Sequence, residues 1–160
     1  MNRVLAFDPG YDRLGAALLQ RVNGAERLVH SECVETNRAD LMPERLKVIG
    51  EAIEALILTH TPEIVALEKL FFNKNIKTGI AVAEVRGIII YLARHHGCHV
   101  MEFSPQEIKI AVTGYGKSDK SAVTSMVKRL IPNVPLHARD DEYDAIAVGI
   151  TALAHARTLS

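Results

Sequence analysis

The hydrophobic residues of this 160-residue chain follow two patterns, short continuous runs and a helical spacing. The first part has short apolar runs separated by turn signals, among them Asn23-Gly24, a pair that favours a two-residue hairpin turn. From Pro43 onward, apolar residues recur at the three-to-four-residue spacing of an amphipathic helix. The continuous apolar run over residues 64–67, which Glu68 closes, is typical of a strand buried on both faces.

Helix-start signals divide the second half of the chain. Ser104-Pro105-Gln106-Glu107 combines an N-cap residue, a proline at the first helical position and a reciprocal Glu. Ser118 is expected to cap the next helix, which runs to about residue 130. The predicted elements are strands over 4–7, 15–20, 27–36, 64–67 and 99–103 and helices over 43–60, 77–96, after 104, after 118 and from about 140. This order, βββαβαβααα, predicts one mixed α/β domain over residues 1–160, with three antiparallel strands followed by parallel ones.

The composition is that of a soluble globular protein, with 48% hydrophobic and 24% charged residues. Cys33 and Cys98 are too few for a disulfide framework, which favours a reducing, cytoplasmic location. Glu84 and Arg86 interrupt the most apolar stretch, residues 79–93, which is shorter than the ~20 residues of a membrane helix. We therefore expect no membrane partner.

The charge is balanced over the chain but divided within it. Lys+Arg and Asp+Glu both number 19, yet residues 69–129 carry ten basic residues and four acidic ones. This division is typical of a protein that binds a polyanion with one part and collects carboxylates in another. An ordinary solvated surface gives the same counts, so charge alone leaves both interpretations open.

Four acids lie at the predicted ends of elements. Asp8 and Glu68 each end a hydrophobic strand, and Asp141 and Asp144 share one face near the start of the last helix. Carboxylates that converge repel one another unless a cation neutralises them, and an all-oxygen set favours Mg²⁺ or Mn²⁺ over zinc. Two such ions can hold a phosphodiester for in-line displacement. Taken singly, Asp8 is better explained as a turn residue and Asp141 and Asp144 as helix-cap acids; the position of all four acids at element ends favours a common site.

In the loop after Glu68, aromatic residues are flanked by lysines and asparagines, a pattern that suits stacking on bases while charges bind phosphates. The DNA contacts predicted there are Phe71, Phe72, Asn73, Lys74, Asn75 and Lys77. We expect at least one of the two Phe residues to be exposed. A second loop, around Tyr115, is framed by Lys109, Lys117 and Lys120 and could meet a phosphate. Inward packing of both Phe residues and ordinary surface lysines are the alternatives.

A zinc site is conceivable from one further cluster, whose members are His95, His96, Cys98 and His99. We disfavour it, because adjacent histidines on a helix diverge and histidine near a helix C-terminus is favoured by the dipole.

Taken in order, the motifs resemble those of RuvC-type Holliday junction resolvases. The matching segments are Phe7-Asp8-Pro9-Gly10, Leu67-Glu68, residues 71–75, Arg86-Gly87, Ser104-Pro105, residues 112–116, Asp119-Lys120 and residues 141–148. The resemblance implies a ribonuclease H-like fold, a five-stranded mixed sheet flanked by helices. It also implies symmetric, metal-dependent nicking of two opposed strands of a four-way DNA junction.

The resemblance further implies roles for particular residues. The metal-binding catalytic carboxylates would be Asp8, Glu68, Asp141 and Asp144, with Mg²⁺ or Mn²⁺, two ions per active site. Lys109 and Lys120 would lie close to the scissile phosphate, and Phe71 would stack at the junction centre. Further DNA contacts are expected at Arg86, Tyr115 and Lys117. The family acts as a homodimer, here through the helix over 79–93, and cooperates with a branch-migration motor of the RuvA and RuvB type.

Some positions depart from the family pattern. Tyr11-Asp12 and residues 83–85 differ from the usual residues, and Asp140 and Glu142 add acids beside the last pair. The three-residue spacing to Asp144 favours Asp141 over Asp140 as the site residue. Two other functions stay open from the residues: a ribonuclease that acts on RNA–DNA hybrids, and a branched-DNA-binding module that does not cut.

Overall fold

Five strands form one mixed sheet in the computed structural model, which describes residues 3–71 and 76–156. They are β1 (Arg3–Asp8), β2 (Arg13–Val22), β3 (Ala25–Glu35), β4 (Ile64–Glu68) and β5 (His99–Phe103). Their spatial order is β3-β2-β1-β4-β5, with β1 to β3 antiparallel and β1, β4 and β5 parallel. The predicted hairpin is confirmed, because Asn23 and Gly24 both have positive φ (51° and 81°) between β2 and β3.

Helices flank this sheet within the described part of the chain. They are α1 (Met42–His60), α2 (Ile76–His95), α3 (Pro105–Thr113), α4 (Lys120–Leu130) and α5 (Asp140–Ala156). The predicted order βββαβαβααα is confirmed. None of these helices combines the length and the apolar character needed to cross a membrane.

Both faces of the sheet are buried, which explains the continuous apolar runs. Along β1, Val4 and Ala6 pack with α3, α4 and α5, whereas Leu5 and Phe7 pack with α1 and α2. Successive side chains of a strand point to opposite faces, so a central strand covered on both sides has no polar position. Only its two end residues, Arg3 and Asp8, are partly rather than fully buried.

The strand register brings the two predicted strand-end acids to one rim. Phe7 pairs with Leu67 in the parallel β1–β4 ladder, so Asp8 and Glu68 are the next residues at the same edge. Parallel strands end at one edge of a sheet, and side chains there face outward. The sequence alone had predicted this arrangement.

Gly15 allows α5 to begin at that rim. It pairs with Asp8 across the β1–β2 ladder, and a Cβ atom at residue 15 would lie only 2.0 Å from the backbone oxygen of Asp141. Any larger residue at this position would push α5 away. The contact therefore fixes the backbone of Asp141 beside the end of β1.

One predicted helix start is confirmed and one is wrong. The Ser104 side chain accepts from the Glu107 N–H and the Glu107 side chain accepts from the Ser104 N–H, which is the expected capping box of α3. Helix α4, however, is capped by Asp119, whose carboxylate accepts from the Ala122 N–H at 2.7 Å. Ser118 instead donates to the Tyr115 carbonyl and pairs with the Thr113 hydroxyl.

Candidate active site

Three carboxylates meet where β1 and β4 end. Asp8 and Glu68 are the last residues of those strands, and Asp144 lies in the second turn of α5. Together they border a cavity of about 180 Å³, called the rim cavity below. Its lining residues are Asp8, Glu68, Pro105, Ile108, Lys109, Lys120, Val123, Asp144 and Ala147. The structure thus brings three of the four predicted acids and both predicted lysines to one site.

Burial, together with the negative charge of neighbouring acids, sets the electrostatics of the rim cavity. Burial is the largest cause that raises the pKa of Asp8, from its ordinary 3.8 to about 7, and the charges of Asp144, Asp141 and Glu68 add to it. Burial also raises the pKa of Glu68 and that of Asp144. An added cation would stabilise these buried, closely spaced carboxylates, because its positive charge favours their ionised form.

Two lysines supply the positive charge of the site. Lys120 Nζ lies 2.9 Å from Oδ2 of Asp144 and 3.8 Å from Oδ2 of Asp140. The hydrogen bond to Asp144 is the largest cause that raises the pKa of Lys120. Lys109, from α3, borders the same cavity, and its charge counteracts the rise in the pKa of Glu68. Both ammonium groups are therefore placed to meet an anionic substrate.

Asp141 lies beside the rim cavity but does not line it. Its Oδ2 is 3.2 Å from Nε of Arg13 and accepts from the Cys33 thiol at 3.9 Å. Its charge is nevertheless close enough to contribute to the raised pKa of Asp8. The expected convergence of four carboxylates thus appears as three at the cavity and one held at its edge by an arginine.

The donor set fits a hard divalent cation. Asp8, Glu68 and Asp144 offer only oxygen atoms, the ligands that Mg²⁺ and Mn²⁺ prefer, and burial and mutual repulsion raise the pKa of each carboxyl. Within residues 3–71 and 76–156, no three Asp, Glu, His or Cys side chains already stand in the arrangement that holds a metal ion. The acids therefore surround a cavity rather than form a closed cage.

The suspected zinc cluster has other interactions. His95 stacks on Tyr91 with ring centroids 5.6 Å apart, and Nε2 of His96 lies 3.0 Å from Oε1 of Glu54. Buried Cys98 donates to the Pro62 carbonyl at 3.3 Å. These contacts account for three of the four cluster members as structural groups.

Arg86 is placed differently from the expected DNA contact. Its side chain is only 11% exposed, and its guanidinium donates to the backbone oxygen of Glu68 and to the carboxylate of Glu102. These two contacts hold the Arg86 guanidinium against the end of β4. Its expected contact with DNA stays a prediction.

The departure at Tyr11-Asp12 also has a structural explanation. Buried Arg45 of α1 donates to the Tyr11 carbonyl and to the Asp12 carboxylate, and its guanidinium carbon lies 5.0 Å from the Tyr11 ring centroid. Arg38 pairs with the other Asp12 oxygen at 2.9 Å. This network fixes the turn after Asp8. The signal in the sequence was a charged residue, Arg45, four positions before Ile49 on the apolar stripe of a helix.

Several predicted DNA contacts are exposed. Phe71 is 56% exposed and Tyr115 is 61% exposed, and Lys77 and Lys117 are exposed as well. The expectation of at least one exposed Phe is confirmed. Phe72, Asn73, Lys74 and Asn75 lie outside the described residues.

The Tyr115 loop is held by hydroxyl groups. Thr113 Oγ1 and Ser118 Oγ lie 2.7 Å apart, and the Tyr115 N–H donates to Thr113 Oγ1 at 3.1 Å. Gly114 has a φ of 77°, which ends α3 in the left-handed region. The loop therefore presents the Tyr115 ring outward from a fixed turn.

Known proteins share both the sequence and the fold of this chain. The family model described as "Crossover junction endodeoxyribonuclease RuvC" matches residues 4–152. The RuvC proteins of Alkaliphilus oremlandii and Brevibacillus brevis are 35% and 37% identical, over 97% and 93% of this chain and 93% and 90% of their own lengths.

Solved structures extend the likeness to the fold. Thermus thermophilus RuvC in complex with a Holliday junction substrate is 26% identical, with a TM-score of 0.91 over 99% of this chain and 96% of that one. The five-stranded mixed sheet with flanking helices is thus the expected ribonuclease H-like fold. The chain belongs to the RuvC family of crossover junction endodeoxyribonucleases.

Proposed function

We propose that this protein resolves four-way DNA (Holliday) junctions in recombination and repair, by hydrolysing phosphodiester bonds in two opposed strands. The observation that carries the proposal is the rim cavity, where Asp8, Glu68 and Asp144 face Lys109 and Lys120. The family membership supports the same activity. We further propose that residues 1–160 form a single nuclease domain.

We propose that Asp8, Glu68 and Asp144 bind Mg²⁺ or Mn²⁺, two ions per active site, with Asp141 as a fourth carboxylate. When bound, the ions polarise the phosphodiester and activate water as the nucleophile. The chain's own acids must lose their protons first, and the raised pKa of Asp8 makes this step depend on pH near neutrality.

The lysines act on the phosphate itself in this mechanism. The ammonium groups of Lys109 and Lys120 border the cavity in which the acids lie. A fixed positive charge stabilises the negative charge that develops on a phosphodiester during displacement. The hydrogen bond to Asp144 orients Lys120 toward the cavity, and Lys109 belongs to α3, the helix that follows β5.

Binding of the junction would involve the exposed groups around the cavity. Phe71 offers an aromatic face for stacking on an unpaired base, and Lys77, Tyr115 and Lys117 offer phosphate and base contacts. The T. thermophilus relative with its Holliday junction substrate supports this choice of DNA. The four-way junction is nearly two-fold symmetric, which favours a two-fold enzyme.

We therefore propose a homodimer that uses the apolar face of α2, where Ile80 and Tyr91 are 52% and 65% exposed. A branch-migration motor of the RuvA and RuvB type is the proposed further partner. We place the protein in the cytoplasm, in keeping with its free thiols at Cys33 and Cys98.

A substrate panel tests this function. Labelled four-way junction, linear duplex and RNA–DNA hybrid are incubated with the protein in Mg²⁺, in Mn²⁺ and in chelator. We expect cleavage of the junction alone, and only with metal. Preferential cleavage of the hybrid would establish a ribonuclease instead, and junction binding with no cleavage in either metal would establish a non-cutting module.

A matched pair of variants links the activity to the rim cavity. Asp8→Asn removes a proposed metal ligand but no basic contact, so we expect junction cleavage to be lost and binding to be retained. Asp40→Asn makes the same chemical change at an exposed residue that bonds Asn37, far along the chain from the cavity lining, and should cleave normally. Equal activity of both variants would contradict the proposed role of Asp8.

A further inference from the structure

We propose that Arg13 is a positioning residue that competes with the divalent cation for Asp141 and thereby weakens metal binding at the rim cavity. This inference rests on the proposed metal-dependent function. Its geometric basis is the ion pair between Nε of Arg13 and Oδ2 of Asp141 at 3.2 Å. It assigns to the first residue of β2 an influence on how many carboxylates bind the metal.

The backbone of Asp141 is fixed, so only its side chain can turn from Arg13 toward a bound cation. Gly15 packs against the Asp141 backbone oxygen so closely that no Cβ fits between them. The side chain of Asp141 is 18% exposed and that of Arg13 is 49% exposed. The carboxylate therefore stands at the edge of the core, with Arg13 on its solvent side.

Asp141 lies between two electrostatic environments. On one side its Oδ2 has Arg13 and the Cys33 thiol as partners. On the other side its charge raises the pKa of Asp8, which lines the cavity that Asp141 itself does not line. A cation in the cavity would attract the carboxylate away from Arg13.

For Asp141 to bind a cation, its ion pair with Arg13 must break, and this lowers the net affinity for the cation. A half-exposed ion pair is screened by solvent, so breaking it costs a small but nonzero free energy. The guanidinium also carries a fixed positive charge that opposes any cation bound nearby. Both effects point the same way: removal of Arg13 should tighten metal binding.

Titration of Mn²⁺ into the DNA-free protein at pH 8 tests the inference, with calorimetry or Mn²⁺ electron paramagnetic resonance as the readout. We expect Arg13→Gln to lower the Kd for Mn²⁺ roughly two- to fivefold, the range of a partly exposed ion pair. Arg13→Lys keeps the charge and should bind Mn²⁺ much as the unsubstituted protein does. Thermal denaturation of each variant checks that it is folded.

Two controls isolate the Asp141 contact. Arg38→Gln removes the same charge from a neighbouring exposed residue that pairs with Asp12, and should leave the Kd nearly unchanged. In an Asp141→Asn background, Arg13→Gln should keep only the smaller part of its gain that comes from removing the fixed charge, because the competing carboxylate is gone. A gain of full size in that background would overturn the proposal.

The remaining outcomes separate this inference from the proposed function. If the unsubstituted protein binds Mn²⁺ and Arg13→Gln binds it equally or more weakly, the competition by Arg13 is overturned while the metal site stands. If Arg13→Gln only weakens junction binding in chelator, Arg13 is a DNA contact and the competition is overturned. If the unsubstituted protein binds no Mn²⁺, both proposals fail.

Discussion

Nζ of Lys120 lies 2.9 Å from Oδ2 of Asp144, so the first residue of α4 contacts the second turn of α5 across the rim cavity. This pair joins a proposed metal ligand to a proposed phosphate-stabilising group. It also orients both side chains before substrate arrives, because a charge-assisted hydrogen bond restricts each of them.

Lys120→Ala should reduce the rate of junction cleavage roughly a hundredfold, the loss typical of removing one donor from a developing negative charge. Junction affinity in chelator should change little, since a single phosphate contact is lost. Single-turnover cleavage and gel-shift titration separate the two quantities. Lys47→Ala on α1, whose lysine pairs with Glu51, is the control and should cleave normally. Parallel losses of rate and affinity would contradict this role for Lys120.

Asp8 should make the metal-free protein less stable as the pH rises. The pKa of its carboxyl is raised to about 7 from 3.8, so the folded state keeps a proton that the unfolded chain loses. The free energy of unfolding therefore falls between about pH 4 and pH 7 and then levels off. Asp8→Asn removes this titration.

In chelator, we accordingly expect the melting temperature of Asp8→Asn to exceed that of the unsubstituted protein by more at pH 8 than at pH 5. Burial and neighbouring acids both disfavour the ionised Asp8 carboxyl, and each kcal/mol that Asp8→Asn relieves corresponds to about 2–4 °C for a chain of this size. A difference that is the same at both pH values would contradict the raised pKa of Asp8.

Arg86→Ala should impair both stability and cleavage, because the guanidinium bonds the backbone of Glu68 and the carboxylate of Glu102. The loss of charge-assisted hydrogen bonds should cost about 1–3 kcal/mol in urea denaturation. Arg94→Ala is a matched control, since Arg94 donates to the Cys98 carbonyl just after the end of α2. Both variants should lose stability, but only Arg86→Ala should lower the cleavage rate of the folded enzyme.

The cap of α4 gives a local test of the fold. Asp119→Ala should cost about 1 kcal/mol of stability and should speed hydrogen exchange at the Ala122 amide, which loses its acceptor. Ser118→Ala should leave exchange at Ala122 unchanged, because its hydroxyl serves the Tyr115 loop. The reverse pattern would restore Ser118 as the cap.

The order of elements could be predicted because each has a strong local signal. The hairpin at Asn23-Gly24, the doubly buried run over 64–67 and the Ser104 capping box all depend on neighbouring residues alone. The same local signals could not decide which residue caps α4, since Ser118 and Asp119 are adjacent and both have side chains that can cap a helix. Only the direction of the Asp119 side chain decides between them.

The candidate site was predictable as far as strand ends define it. The positions of Asp8 and Glu68 follow from the parallel register of β1 and β4. The arginines that contact Glu68 and Asp141 come from distant parts of the chain. Arg86 reaches Glu68 from α2, and Arg13 reaches Asp141 across 128 positions of sequence separation between β2 and α5. No local pattern encodes such contacts, so the sequence could not show that Arg86 and Arg13 have structural partners.

Mapping of the nicks on an end-labelled four-way junction tests the central claim most directly. With Mg²⁺ or Mn²⁺, the proposed homodimer should leave paired nicks at symmetric positions on two opposed strands, and linear duplex of the same sequence should stay intact. Chelator or Asp8→Asn should abolish both nicks together. Equal cutting of linear duplex, or unpaired nicks scattered over all four strands, would contradict junction resolution by this site.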